Sequence, residues 1–127
     1  MATVAVGVDV VDVARFALAL ERRPRLIERL FTARERRDTR ERPERLAARF
    51  AAKEAVLKAL GSGLGDASFQ NIEVQRAPSG APEIVLYAEA RDLAATRGVA
   101  TLHVSLSHTR TTATAFVVAS TEVPRAG

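Results

Sequence analysis

The sequence predicts a small α+β domain, with a largely antiparallel sheet and one long central helix. Three observations predict it. Val4 to Val11 alternates like a strand. A long helix opens on Pro43 and is stopped by Gly61. The second half of the chain is strand-rich and is broken by the turn cluster Pro78-Ser79-Gly80-Ala81-Pro82. This ordering suits an α+β plan better than a doubly wound one.

Each element has a local reason. In the first strand Val4, Val6, Val8 and Val10 share one face, while Ala5, Gly7 and Asp9 share the other. Asp12 is placed to cap a helix from about Val13 to Leu20. Pro24 suits the first turn of a second helical piece reaching Leu30 or Phe31. Thr32 and Glu35 have capping-box spacing and open a short charged helix. Beyond the long helix, Gly63 and Gly65 keep the chain irregular. Ile72 to Arg76 and Glu83 to Tyr87 flank the turn cluster as a hairpin. Ala88 to Arg97 reads as a helix ended by Gly98. In Thr101 to His108, Leu102, Val104, Leu106 and His108 lie on one face, with His103, Ser105 and Ser107 on the other. Ala113 to Ser120 is a final apolar strand. No repeat, low-complexity tract or long linker divides the 127 residues, which read as one domain, 1–127.

Composition excludes several classes. No apolar run approaches the ~20 residues that span a bilayer, and the N-terminus has no basic stretch before an apolar run of the signal-peptide kind. The absence of cysteine removes disulfides and thiol chemistry. A cytoplasmic protein is the simplest expectation. The charge is unevenly spread. Residues 22–49 hold eleven Arg against five acids, a local excess of +6 in a chain whose net charge is +4. Such a patch attracts an acidic protein surface or a polyanion, and equally describes a solvated face laced with Arg–Glu pairs. A nucleic-acid-binding module is the competing class. The chain has five Phe, one Tyr and no RNA-binding motif, which argues against it.

The lysines point to the chemistry. Of nineteen basic residues only Lys53 and Lys58 are lysine, and both lie in Arg49-Phe50-Ala51-Ala52-Lys53-Glu54-Ala55-Val56-Leu57-Lys58-Ala59-Leu60-Gly61. A GC-rich coding background would also make lysine scarce. Lysine is nonetheless a compact point charge that arginine does not replace at a tight site. At about 100° per residue, Lys53 falls with Leu57 and Leu60 on an apolar face, Glu54 and Lys58 form a narrow charged edge, and alanines fill the rest. Glu54 and Lys58 are also spaced for a plain i, i+4 pair. Asp9 adds a second carboxylate, at the end of an apolar strand and beside the small residues Ala5 and Gly7. It could equally turn to solvent or help Asp12 cap the next helix. Two carboxylates from different elements, with lysines near them, suit Mg²⁺ and a polyphosphate. Ser105-Leu106-Ser107-His108-Thr109 ends a strand with a histidine among hydroxyls, placed either to meet phosphate or ribose or simply to pack. No Gly-x-Ser-x-Gly turn accompanies these serines, and the glycines after residue 60 match neither the phosphate-loop nor the dinucleotide pattern.

Together these segments resemble the holo-acyl-carrier-protein synthase family of phosphopantetheinyl transferases. Gly7-Val8-Asp9-Val10-Val11-Asp12-Val13-Ala14-Arg15-Phe16 is similar to its opening motif, the stretch from Arg49 to Gly61 to its signature helix, and Ser105-Leu106-Ser107-His108 to its last strand motif. The resemblance implies a phosphopantetheinyl transferase-like fold. It implies transfer of 4′-phosphopantetheine from coenzyme A to a serine of apo acyl carrier protein, with release of adenosine 3′,5′-bisphosphate. It implies Asp9 and Glu54 as Mg²⁺ ligands and Lys58 as a pyrophosphate contact, these three being the catalytic set. Arg49, Ser107, His108 and Thr109 are expected to hold coenzyme A. Lys53 is expected as a structural or peripheral ligand contact. Arg15, Arg22 and Arg25 are expected to dock the acidic carrier protein. The family resemblance further implies a homotrimer with active sites between subunits, acting in fatty acid biosynthesis, with polyketide and peptide pathways left open. Nucleic acid and membrane are not expected partners. One departure stands out. Ala81 occupies a position, after the hairpin Gly80, where the family usually has a basic residue. No side chain is an evident dedicated base for the serine proton.

Overall fold

The computed structural model describes residues 3–62 and 68–123. The glycines at 63 and 65 therefore lie outside the described residues. β1 (Thr3–Asp12) leads into α1 (Val13–Arg22), α2 (Leu26–Leu30), α3 (Ala33–Thr39) and the long α4 (Pro43–Ala59). A 3-10 turn at Phe69–Asn71 precedes the hairpin β2 (Ile72–Arg76) and β3 (Pro82–Leu86). α5 (Ala88–Thr96) then leads to β4 (Thr101–His108) and β5 (Thr112–Ser120). The strands form a three-stranded antiparallel sheet of order β1-β5-β4 and the separate β2-β3 hairpin. The fold is α+β, with antiparallel pairing throughout.

The helix ends follow from the sequence. Asp12 accepts a hydrogen bond from the Arg15 backbone N–H at 2.9 Å, which satisfies one of the orphan donors of the α1 N-terminus. Thr32 and Glu35 form a full capping box at α3. Pro43 stands in the first turn of α4, and Gly61 follows its end with φ +70°, a conformation that disfavours any residue with a Cβ.

The period-2 pattern of β1 gives two faces, and the larger side chains take the outer one. Val6, Val8 and Val10 are 56%, 51% and 64% exposed, and Phe116 beside them on β5 is 46% exposed. The inner face carries Ala5, Gly7 and Asp9, because α4 presses on it through its alanines. A Cβ added at Gly7 would sit 2.0 Å from the Ala55 carbonyl oxygen and 2.9 Å from the Ala59 nitrogen. Neither atom can yield without moving the α4 backbone. Ala115, Val117 and Ala119 of β5 complete this buried seam with Ala51, Ala52, Ala55 and Val56. A second cluster joins α1, α2 and the start of α4, where Phe16 stacks on Phe50 at 5.0 Å and meets Phe31 edge-on at 6.2 Å. The close β1–α4 approach is what sets Asp9 beside Glu54.

Lys53 takes no place at an open site. Its side chain is fully buried, and its ammonium donates to Glu35 Oε1 at 2.6 Å, the Phe69 carbonyl at 2.8 Å and the Ile72 carbonyl at 2.6 Å. All three ammonium protons are thereby used. The expectation of a ligand contact from Lys53 is corrected. A charge set into the apolar face of α4 needs internal partners, and the fold supplies them from α3 and β2. Burial lowers the Lys53 pKa, and the adjacent Glu35 carboxylate works against that shift.

Candidate active site and family

Asp9, Glu54 and Lys58 converge where β1 crosses α4. The Lys58 ammonium donates to Asp9 Oδ1 at 2.9 Å and to the Val8 carbonyl at 3.0 Å. Among the described residues the ion pair of Lys58 is therefore with Asp9, not the i, i+4 pair with Glu54. Asp9 and Glu54 line a cavity of about 430 Å³ together with Asp12, Arg15, Phe16 and Phe50. Arg15, one of the three expected docking arginines, thus stands at the mouth of the carboxylate pocket. Arg22, at the end of α1, and Arg25, just before α2, are exposed on the same arm of the molecule.

The electrostatics of this pocket are unbalanced. Burial raises the Glu54 pKa and the nearby Asp9 carboxylate raises it further, while Lys58 opposes the rise. The single ammonium is engaged with Asp9, so the carboxylate pair is short of positive charge. That is the donor set and charge state that suit a hard divalent cation. Among the described residues no group of three or more His, Cys, Asp or Glu side chains gathers, and two carboxylates are the usual protein share of a Mg²⁺ site.

A second cavity, of about 310 Å³, opens on another side of α4. Arg45, Arg49, Arg76 and His108 line it, with Gly80 and Pro82 of the hairpin. Arg49 is nearly buried, and its Nε donates to the Val74 carbonyl at 3.3 Å. The structure brings Arg49 and His108 together here. It does not bring Ser107 with them. Ser107 projects from the opposite face of β4, since neighbours on a strand alternate. Within this chain Ser107 lies exposed on the outer sheet surface, apart from Arg49 and His108. The Thr109 hydroxyl is committed to the β4–β5 turn, where it accepts from the backbone N–H groups of Thr111 at 3.2 Å and Thr112 at 3.0 Å. Two arginines escaped the sequence reading. Arg45 belonged to a general basic excess and Arg76 marked only the end of a strand, and only the packing of α4 on β2 sets them around one cavity.

The chain is similar to known proteins along most of its length. The chain matches the 4′-phosphopantetheinyl transferase superfamily over residues 5–117. It is 51% identical to the holo-[acyl-carrier-protein] synthase of Clavibacter michiganensis subsp. michiganensis, over 94% of this chain and 97% of that protein. The holo-[acyl-carrier-protein] synthase of Helicobacter pylori, solved in complex with coenzyme A, superposes with a TM-score of 0.81 at 33% identity, covering 90% of this chain and 98% of that one. That of Bacillus anthracis str. Ames, solved in complex with CoA (3′,5′-ADP), gives 0.79 at 30% identity over 96% and 100%. Within the superfamily, the chain belongs to the holo-acyl-carrier-protein synthase family. It is an enzyme, and its activity is holo-acyl-carrier-protein synthesis.

Proposed function

We propose that this enzyme transfers 4′-phosphopantetheine from coenzyme A to a serine of apo acyl carrier protein with Mg²⁺, releasing adenosine 3′,5′-bisphosphate. Residues 1–127 act as a single transferase domain. The observation that carries the proposal is that Asp9 lines one cavity with Glu54 and also pairs with Lys58 at 2.9 Å. The serine oxygen attacks the β-phosphorus of the coenzyme A diphosphate, a new P–O bond forms, and the bond to the bisphosphate leaving group breaks. Asp9 and Glu54 would hold Mg²⁺, which offsets diphosphate charge and polarises the phosphoryl oxygens. Lys58 exchanges its Asp9 contact for a phosphate oxygen, a use suited to a mobile point charge. Arg49 and His108, with Arg45 and Arg76, hold the anionic nucleotide end. Arg15, Arg22 and Arg25 steer the acidic carrier protein to the pocket.

Two features support assembly as a homotrimer. Arg49 and Glu54 are five residues apart on α4, so they point about 140° apart, and the two cavities open on different sides of the helix. One coenzyme A molecule reaches a metal site and an arginine–histidine cavity together when each comes from a different chain. The exposed Val6, Val8, Val10 and Phe116 form an apolar sheet face that a neighbouring copy would bury. Among the described residues no helix is long and apolar enough to cross a membrane, and we place the enzyme in the cytoplasm, serving fatty acid biosynthesis. The test is transfer assayed against Mg²⁺ concentration for the native chain and Asp9→Asn. Saturable Mg²⁺ dependence, lost in the variant, is expected. Full turnover of the variant at high Mg²⁺ would remove the metal assignment.

A further inference from the structure

The free edge of β2 is closed by side chains rather than by a strand. β2 pairs with β3 on one side only. On the other side Lys53 Nζ donates to the Ile72 carbonyl at 2.6 Å, Glu35 Oε2 accepts from the Val74 N–H at 3.0 Å, and Arg49 Nε donates to the Val74 carbonyl at 3.3 Å. The spacing explains why Arg49 and Lys53 both reach. Four residues of helix advance about 6 Å, and two residues of strand advance about 6.6 Å. Two α4 side chains one turn apart therefore meet two alternate carbonyls of β2. Glu35 joins the two arms of this ladder. Its Oε1 accepts from Lys53 and from the Thr32 N–H at 3.0 Å, while its Oε2 fixes Val74, the residue whose carbonyl orients Arg49.

We infer that Glu35 is a positioning residue for coenzyme A binding: held by Lys53, it fixes Val74 and so sets the Arg49 guanidinium in the nucleotide cavity. The inference rests on the assignment of Arg49 to coenzyme A. Glu35 touches no ligand itself, being fully buried. An unanchored β2 edge lets the Val74 carbonyl drift, and the guanidinium loses the hydrogen bond that orients it at the cavity. The carboxylate pair on the far side of α4 is not touched by this change. The expected signature is weaker coenzyme A binding with unchanged chemistry.

Glu35→Gln is the variant that tests this. The glutamine has one oxygen where the glutamate has two. Lys53 and Thr32 draw that oxygen to their side, so its NH₂ faces the Val74 N–H, donor against donor. The KM for coenzyme A should rise about fivefold, as for one orienting hydrogen bond lost, with kcat within about twofold. Thr39→Val is the control, since it removes the buried Thr39 hydroxyl bonds to the Glu35 and Arg36 carbonyls. It weakens α3 without touching the Glu35 carboxylate. That variant should lower Tm and leave the KM for coenzyme A unchanged. In an Arg49→Ala background, Glu35→Gln should add no further rise. A rise that persists in that background, an unchanged KM in Glu35→Gln, or an equal rise in Thr39→Val overturns the inference. An unchanged KM in Arg49→Ala alone would instead remove the assignment on which it rests. If Glu35→Gln does not fold, the uncharged pair Lys53→Met with Glu35→Met, which also withdraws the acceptor from Val74, is read by the same criteria.

Discussion

Lys58 reaches across from α4 to lie 2.9 Å from the Asp9 carboxylate of β1, and the contact ties a residue near the end of the long helix to one forty-nine positions earlier. The Lys58 side chain is 54% exposed and that of Asp9 16%. The lysine is therefore free to turn to an incoming phosphate while the carboxylate stays in place. An exposed pair of this kind adds little to stability, so its value lies in the site.

Lys58→Arg retains the charge and changes its shape. The planar fork is larger than the ammonium and cannot meet both Asp9 and the Val8 carbonyl in the same space. Transfer should fall about 10–100-fold in kcat/KM, a loss of about 1.4–2.8 kcal/mol in transition-state stabilisation. Tm should stay within about 2 °C, as for an exposed position. Steady-state kinetics with a melting curve decide it, and native turnover would make the lysine a matter of codon usage.

Glu54→Gln should separate stability from activity. A carboxyl whose pKa is raised on folding is most favourable to the fold when protonated, and that advantage is lost as pH rises through its folded pKa. The amide never takes on a charge, so it removes the cost that a charged Glu54 meets from burial and from Asp9. After screening by solvent the gain amounts to a few tenths of a kcal/mol, or about 1–3 °C in Tm. The difference should shrink as pH falls and the native side chain is itself neutralised. Transfer should be lost at every pH. Thermal melts of both proteins at pH 4 and pH 7.5 read the sign directly.

Gly7→Ala should disrupt the fold at the site. Its Cβ would meet the Ala55 carbonyl oxygen at 2.0 Å, and only a shift of β1 from α4 relieves the clash. Destabilisation of about 1–3 kcal/mol is expected, with transfer reduced because Asp9 moves with the strand. Chemical denaturation measures the first and turnover the second. A native-like midpoint would mean the strand and helix are not packed so tightly.

Phe116→Glu places a charge in the middle of the exposed apolar sheet face. Analytical ultracentrifugation should show a trimer for the native chain and a monomer for the variant. Activity should fall with the loss of assembly, because the two cavities are then no longer supplied by neighbouring chains. A trimeric variant would place the interface elsewhere.

Much of this was legible in the sequence because local rules govern it. Asp12 as a cap, the Thr32–Glu35 capping box, the Pro43 start and Gly61 stop of α4, and the alternation of β4 each depend on residues close in the chain. The signature helix likewise marked Glu54 and Lys58. Side selection was not legible. Period two divides the β1 side chains into two sets without saying which is buried, and the packing of an alanine-lined helix turned the valines outward. The alternation of β4 already set Ser107 and His108 on opposite faces, without saying which of the two meets α4. Glu35 showed only its capping role, since its partners Lys53 and Val74 lie 18 and 39 residues away. For the same reason Lys53, visible as a charge on an apolar face, had no visible partner.

The most direct measurement is the mass of an apo acyl carrier protein after incubation with this enzyme, coenzyme A and Mg²⁺, with Asp9→Asn run alongside. The expected result is a gain of one phosphopantetheine arm on a single serine, abolished by chelation and absent with the variant. A carrier protein of unchanged mass with the native, folded enzyme would contradict transfer at the Asp9–Glu54–Lys58 site.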